Sequence, residues 1–208
     1  MKRVAIVINT RFGQTEKIAL HLRQGFMALG LETQIFSLRN AKDFLAVDVR
    51  DFDAVVIGAP VYQQHFSKDM IRWTKNNLAL LKLKTTGFFS VSGNAGDAHK
   101  QARAADDMLL KTFLDQSGLQ PQFVASFGGC IHFTKYNFFL KFIMRKISEK
   151  AQGSVDTSRD LELTDWAQVT AFGNAFVEGD LTSRFATGVR FVQPQPPAPK
   201  LIATKAAG

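Results

Sequence analysis

Cysteine is almost absent from this sequence, in which Cys130 is the single example among 208 residues. One cysteine cannot form a disulfide within the chain, and it excludes a metal site built from several cysteines. Such sparse use of cysteine is typical of a reducing compartment. No other spacing of potential ligands is typical of a metal site, so the sequence predicts none.

Long apolar runs are missing too. No run approaches the roughly 18 residues of a membrane-spanning helix, and the first residues lack the apolar core and cleavage site of a secretion signal. We therefore expect neither a spanning segment nor a leader. Hydrophobic residues still make up 46% of the chain, which predicts a folded domain with a buried core and excludes a disordered chain.

Negative charge is scarce in two segments, and these segments hold the whole net charge of +8. Residues 131–150 carry five basic side chains and one acidic one, and residues 181–208 carry four basic side chains and no acidic one. The rest of the chain is electrically balanced. Charge concentrated in this way indicates an anionic partner, such as a membrane surface, a nucleic acid or an acidic substrate.

Short apolar strands alternate with helical patterns along the chain. Strands are predicted over 4–8, 32–38, 53–58, 86–92 and 122–130, and helices over 14–29, 67–81, 100–117 and 166–178. Strands that are apolar throughout are buried on both faces. The sequence thus predicts an α/β fold over residues 1–180, with a doubly wound five-stranded parallel sheet in the order 2-1-3-4-5.

Two segments stand outside this plan. An insert, residues 131–164, follows strand 5 and separates it from the last helix. Residues 181–208 hold four of the six prolines, and we expect them to form an extended, flexible tail.

The loop after the first strand has the composition of a phosphate-binding loop. It reads Thr10-Arg11-Phe12-Gly13-Gln14-Thr15 and combines hydroxyl groups, a glycine and the start of a helix, where backbone N–H groups favour an anion. It lacks the Gly-Lys-Ser/Thr of P-loop ATPases and the G-x-G-x-x-G of dinucleotide-binding folds. The alternative is an ordinary strand-to-helix turn in which Thr15 caps the helix.

Thr-x-x-Gly-x-Thr directly after the first strand resembles the FMN phosphate loop of flavodoxins. The resemblance implies FMN as cofactor and two further binding loops at the same end of the sheet. One would cover a face of the isoalloxazine, with Pro60, Val61, Tyr62 and Gln63. The other would meet its polar edge, with Ser92, Gly93, Asn94, Ala95 and Gly96.

The insert indicates a particular family among flavodoxin-like proteins. The insert and the residues beside it contain, in this order, Gly128-Gly129-Cys130, Lys135-Tyr136, an aromatic-rich helix, residues 153–157 and Thr164-Asp165-Trp166. The pattern resembles the menaquinone-dependent protoporphyrinogen IX dehydrogenase family, long-chain flavodoxin-like proteins of haem biosynthesis, over about residues 3–178. It implies FMN-dependent oxidation of a porphyrinogen, with a quinone as electron acceptor.

A basic, aromatic-rich helix is predicted over 137–150. Lys146 and Lys150 fall inside its apolar arc, where they could extend toward phosphates at a membrane surface. We therefore expect peripheral contact with an anionic membrane at the cytoplasmic face of the cell membrane. The alternative is a helix packed on its own domain. Nucleic acid is not expected, because no nucleic-acid-binding module is visible.

No strong acid–base constellation is visible, so the catalytic residues are unknown. The candidates are His65, beside the second loop, His132, at the start of the insert, and Arg145, which like Lys135 could pair with a propionate of the implied porphyrinogen. Asp106 and Asp107 are interpreted as a solvated pair on a helix. Cys130 is interpreted as a small core residue.

Other functions of a flavodoxin-like protein stay open. One is a soluble electron carrier, although the resemblance implies an acidic surface for carriers and this body is neutral. The others are an NAD(P)H:quinone reductase and an interaction protein without activity. A homo-oligomer is possible.

Overall fold

Strands and helices alternate in a computed structural model that describes residues 3–39, 41–93, 100–131, 160–182 and 190–191. The strands are β1 (Arg3–Ile8), β2 (Glu32–Ser37), β3 (Ala54–Pro60), β4 (Thr85–Ser92), β5 (Phe123–Gly128), β6 (Cys130–Ile131), β7 (Leu161–Glu162) and β8 (Arg190–Phe191). The helices are α1 (Gln14–Ala28), α2 (Ala41–Ala46), α3 (Lys68–Asn76), α4 (Leu78–Leu81), α5 (Lys100–Ser117) and α6 (Trp166–Thr182).

The main sheet is parallel, with the strand order β2-β1-β3-β4-β5-β8. Its first five strands confirm the predicted doubly wound order 2-1-3-4-5. Because β1 lies between β2 and β3, the chain reverses its direction of travel across the sheet after β2. The switch point between β1 and β3 is where such folds bind ligands.

The sixth strand departs from the predicted sheet. β8 comes from the segment expected to form a flexible tail, and it pairs with β5 so that Phe123 lies opposite Arg190. The edge of β5 offers backbone groups that a short extended segment can bond. Two residues carry no periodicity, so the local sequence gave no signal of this strand. Residues 183–189 and 192–208 lie outside the described residues.

Both faces of the sheet are covered, which explains why its strands are apolar at consecutive positions. In β1, Val4, Ile6 and Ile8 pack with α1 and α6 on one face, whereas Ala5 and Val7 pack with α3 and α5 on the other. Each of these side chains is at most 2% exposed. Polar and apolar residues cannot alternate along a strand that has no solvent-facing side.

The single helix expected over 67–81 is divided into α3 and α4. The division falls at Asn77, whose φ of −101° and ψ of 5° are not helical, and its side-chain amide donates to the Trp73 carbonyl oxygen at 2.9 Å. Asparagine favours helix ends because its side chain bonds nearby backbone groups. Conversely, α6 continues past the expected end at 178 to Thr182. No helix in the described ranges is long and apolar enough to cross a bilayer.

The insert leaves and rejoins the sheet at one place. β6, where the insert begins, and β7, close to where it ends, pair antiparallel. The Gly129 N–H donates to the Ser92 carbonyl oxygen at 2.8 Å, and the Leu163 N–H donates to the Gly129 carbonyl oxygen at 2.9 Å. The base of the insert is thereby anchored to the end of β4. The aromatic helix predicted over 137–150 lies outside the described residues.

Gly128, the last residue of β5, is where a side chain would disrupt this anchor. A Cβ atom there would lie 2.1 Å from the Leu163 carbonyl oxygen. We expect Gly128→Ala to lower the free energy of unfolding by about 1–3 kcal/mol, as measured by urea denaturation. Gly25→Ala is the control, because open space surrounds its Cβ position in α1, and it should raise that energy by about 0.5–1 kcal/mol. Unchanged stability of Gly128→Ala would contradict the close contact.

Candidate functional site

The segments that follow β1, β3 and β4 meet in one cleft at the carboxyl edge of the sheet. The empty space in the cleft is about 450 Å³, which includes space open to solvent. Its lining residues are Thr10, Arg11, Phe12, Gln14, Thr15, Pro60, Val61, Tyr62, Val91, Ser92, Gly93, Gly129 and Cys130.

The first loop leaves the start of α1 without a side-chain cap. Gly13 is the N-cap residue, with a left-handed φ of 95° that favours glycine, and its N–H donates to the Thr10 hydroxyl oxygen at 3.0 Å. No side chain caps the first turn, so the alternative in which Thr15 caps α1 is wrong. Uncapped N–H groups at a helix start attract an anion.

Gln14 brings a buried acceptor to this loop. Its side-chain nitrogen donates to Glu162 Oε1 at 3.1 Å and to Thr164 Oγ1 at 2.8 Å. The glutamate acceptor fixes which end of the amide is the nitrogen. The other end, Oε1, is buried and has no hydrogen-bond partner among the described residues. A buried acceptor left unpaired costs about 1–3 kcal/mol, so this atom points to a ligand that donates a hydrogen bond.

The second loop is a tight turn that presents an aromatic ring. Tyr62 and His65 exchange backbone hydrogen bonds of 2.9 and 3.0 Å, and Gln63 and Gln64 between them have left-handed φ values of 48° and 62°. Such values are strained for residues with a side chain, and strain of this kind occurs often at ligand sites.

The Tyr62 ring forms the rim of the cleft together with the first loop. Its centroid lies 6.1 Å from that of Phe12, and the Arg11 guanidinium carbon lies 3.9 Å from it. Both Arg11 and Tyr62 are exposed. The arrangement is a cation–π contact, and it places a positive charge and an aromatic face at the entrance.

A buried carboxyl group lies behind the third wall. Ser92, the last residue of β4, donates its hydroxyl to Asp106 in α5, with 2.8 Å to Oδ1 and 2.9 Å to Oδ2. Asp106 is only 4% exposed, so the interpretation of Asp106 and Asp107 as a solvated pair is wrong for the first of them. Burial raises the pKa of Asp106 to about 6, the hydrogen bond from Ser92 opposes this, and the charge of Asp107 adds to it.

Helical spacing in the sequence indicates that Asp106 is buried. Its side chain lies on the buried face of α5 together with Leu110, Phe113 and Ser117. These positions follow the spacing of one helical face. The position of Asp106 on this face therefore indicates burial, although its charge alone suggests exposure.

The structure places most predicted cofactor residues around the cleft. Among those described, Gly13, the N-cap residue of α1, and Gln63, in the turn, do not line it. Asn94, Ala95 and Gly96 lie outside the described residues, as do His132 and Arg145. The described candidate His65 is exposed and does not line the cleft; its Nδ1 lies 2.6 Å from the Gln63 carbonyl oxygen.

Sequence reasoning missed Val91, Gly129 and Cys130 as lining residues. Cys130 is half-buried, so its interpretation as a core residue is corrected. The hydrogen bond between Gly129 and Ser92 draws this segment across the end of β4. No local pattern in the sequence indicates that long-range contact.

The comparison that decides the family is a match of residues 5–158 to a flavodoxin domain. The chain belongs to the flavodoxin domain family. A solved flavodoxin 1 from Bacillus cereus shares the fold, with a TM-score of 0.50 at 12% identity over 85% of this chain and 98% of that one.

Two curated relatives of this flavodoxin-domain protein are named protoporphyrinogen IX dehydrogenase [quinone]. The protein from Leishmania major is 31% identical over 135 residues, which cover 65% of this chain and 58% of that protein. The Escherichia coli K12 protein is 26% identical over 170 residues, which cover 82% of this chain and 92% of that one. The resemblance drawn from the sequence is thereby supported.

FMN is the cofactor that a flavodoxin domain implies, and the cleft residues fit it. The uncapped start of α1 and the hydroxyls of Thr10 and Thr15 would hold the phosphate. Gln14 Oε1 would accept a hydrogen bond from a ribityl hydroxyl, and Tyr62 would pack against the ring system. When bound, FMN supplies the electron-accepting chemistry of a flavoprotein oxidoreductase.

The buried carboxyl of Asp106 makes stability depend on pH. A pKa raised from 3.8 to about 6 means that the native state binds more protons than the unfolded state between these pH values. The free energy of unfolding therefore falls as the pH rises from about 4 to about 6, by on the order of 2 kcal/mol.

Urea denaturation at several pH values tests this dependence. Asp106→Asn should abolish it, and Asp107→Asn, at the exposed neighbour, should retain most of it. Parallel curves for wild type and Asp106→Asn would show that the carboxyl does not titrate abnormally.

The strained turn of the second loop offers a test by glycine substitution. Gln64 has a φ of 62°, which costs a residue with a Cβ about 1–2 kcal/mol. Gln64→Gly should therefore raise the free energy of unfolding by about 1 kcal/mol in thermal denaturation. Gln34→Gly, on the exposed side of β2, should lower it by a similar amount. Equal losses in both variants would argue against a strained turn.

Proposed function

We propose that this flavoprotein oxidises protoporphyrinogen IX to protoporphyrin IX and that a quinone accepts the electrons. In each round the porphyrinogen loses a hydride from a methylene bridge and a proton, and a quinone gains both hydrogens and becomes a quinol. The similarity to two proteins named for this reaction supports the proposal. One of them, from Escherichia coli, is matched over 92% of its length.

The rim of the cleft carries the observation that favours this substrate class. The exposed Arg11 guanidinium rests on the Tyr62 ring, and it forms no ion pair with any described carboxylate. Porphyrinogens carry propionate groups on an apolar macrocycle. Arg11 would pair with a propionate of a porphyrinogen held at this rim.

The insert supplies the basis for the proposed location. Its basic, apolar segment over 137–150 would contact an anionic membrane peripherally at the cytoplasmic face, where a lipophilic quinone is dissolved. Lys135 and Arg145 stay candidates for further contacts with propionates. A homo-oligomer also stays a proposal.

The decisive experiment is anaerobic turnover of the FMN-loaded protein with protoporphyrinogen IX and a menaquinone analogue, followed by porphyrin fluorescence. We expect porphyrin formation that depends on the quinone. Arg11→Gln, kept saturated with FMN, should raise KM several-fold, equivalent to about 1 kcal/mol for an exposed ion pair. Arg23→Gln, at an exposed position on α1, is the matched control and should leave KM unchanged.

Each negative result has a distinct meaning. Absence of turnover with a reducible flavin would overturn the proposed reaction and favour a flavodoxin-type electron carrier. Reduction of the flavin by NADPH would favour an NAD(P)H:quinone reductase. Turnover with an unaltered KM in Arg11→Gln would keep the reaction and remove Arg11 from substrate recognition.

A further inference from the structure

Gln14, at the start of α1, joins the cleft to the return strand of the insert. The residue lines the cleft and is only 6% exposed. Its side-chain nitrogen donates to Glu162 Oε1 at 3.1 Å and to Thr164 Oγ1 at 2.8 Å. These two partners lie 148 and 150 positions further along the chain. The base of the insert therefore holds a side chain of the candidate cofactor site.

Both partners offer this nitrogen only lone pairs. The Glu162 carboxylate, which also forms an ion pair with Lys17 at 3.7 Å, has no hydrogen to donate. The Thr164 hydroxyl donates its one hydrogen to the Gly128 carbonyl oxygen at 2.6 Å, so it can only accept from Gln14. Rotation of the amide by half a turn would set its oxygen against two acceptors. The insert thereby fixes which end of the amide faces it.

The orientation of this amide decides which ligand group it can bind. A primary amide donates hydrogen bonds at its nitrogen and accepts them at its oxygen. Gln14 Oε1 is buried and has no hydrogen-bond partner among the described residues, and a buried acceptor needs a donor. The ribityl chain of a flavin carries hydroxyl groups that donate, whereas a fully ionised carboxylate or phosphate only accepts.

We propose that Glu162 and Thr164 are positioning residues of the cofactor site, which hold the Gln14 amide so that its oxygen accepts a hydrogen bond from the ribityl chain of the flavin. Neither residue lines the cleft itself, so both act through Gln14. The proposal rests on FMN binding and not on oxidation of a porphyrinogen, so its failure is distinguishable from failure of the proposed reaction.

Two flavins without a phosphate separate positioning from a general structural effect. Riboflavin carries the ribityl hydroxyls, and lumiflavin has a methyl group in place of the whole chain. Their Kd values are measured by flavin fluorescence with the full chain freed of FMN. Glu162→Ala and Thr164→Val each remove one acceptor. Each should raise the Kd of riboflavin by about two- to tenfold, the value of a single hydrogen bond, and leave the Kd of lumiflavin unchanged.

Conservative substitutions supply the controls. Glu162→Gln and Thr164→Ser each keep an oxygen that accepts from the Gln14 amide, so both should bind riboflavin as the wild type does. Lys17→Gln breaks the ion pair with Glu162 and leaves the carboxylate acceptor in place, so it should also leave the Kd of riboflavin unchanged.

A double-mutant cycle tests whether Gln14 transmits the effect. Gln14→Leu removes the amide and should itself raise the Kd of riboflavin by about two- to tenfold. In the Gln14→Leu background there is no amide left to orient, so Glu162→Ala should have no further effect on that Kd.

Three results would overturn the proposal. Equal weakening of riboflavin and lumiflavin would show that Glu162 and Thr164 only support the fold of the cleft. An effect of Glu162→Ala that persists beside Gln14→Leu would show a route that does not pass through the amide. Unchanged riboflavin binding in both Glu162→Ala and Thr164→Val would show that the insert does not orient Gln14 for the flavin.

Discussion

Parallel pairing of β1, β3 and β4 is the constraint on which the site depends. Parallel neighbours end on the same edge of the sheet, and a helical crossover returns the chain to the opposite edge each time. Segments that are far apart in the sequence, after Ile8, Pro60 and Ser92, therefore meet at one cleft. Each contributes a different chemistry. The first supplies uncapped backbone N–H groups, the second an aromatic ring, and the third a hydroxyl backed by a carboxyl.

Side-chain hydrogen bonds join the first of these loops to the base of the insert. Gln14 donates to Glu162 and Thr164, and Thr164 in turn donates to the Gly128 carbonyl oxygen at 2.6 Å. The start of α1, the return strand of the insert and the end of β5 thus share one network. A ligand that completes the bonding of Gln14 stabilises all three, because binding to the folded state favours every contact on which that state depends.

An exposed cation at the rim of the cleft and a buried acid behind its wall differ in the free energy that their charges cost the folded protein. Arg11 is exposed to water, so its charge costs the folded protein little free energy. Asp106 is held in a pocket that disfavours its ionised form, which lowers the stability of the folded protein near neutral pH. A buried carboxyl group with a shifted pKa directly behind the lining of a ligand cleft is a candidate functional position.

The sequence by itself determined the first five strands, their order and the position of the main helices, since these follow from local apolar patterns and from the rule that all-apolar strands lie between two helical layers. It also indicated all three binding loops, because each directly follows a strand. Tertiary structure alone decided that Gly129 and Cys130 join the cleft, that β8 extends the sheet, and that Gln14 is tied to the insert. These features depend on hydrogen bonds between residues far apart in the chain, which leave no local pattern. Asp106 stands between the two cases. Helical spacing marks its position as inward-facing, but only the packed structure sets Ser92 beside it and so allows a carboxyl group to be buried there.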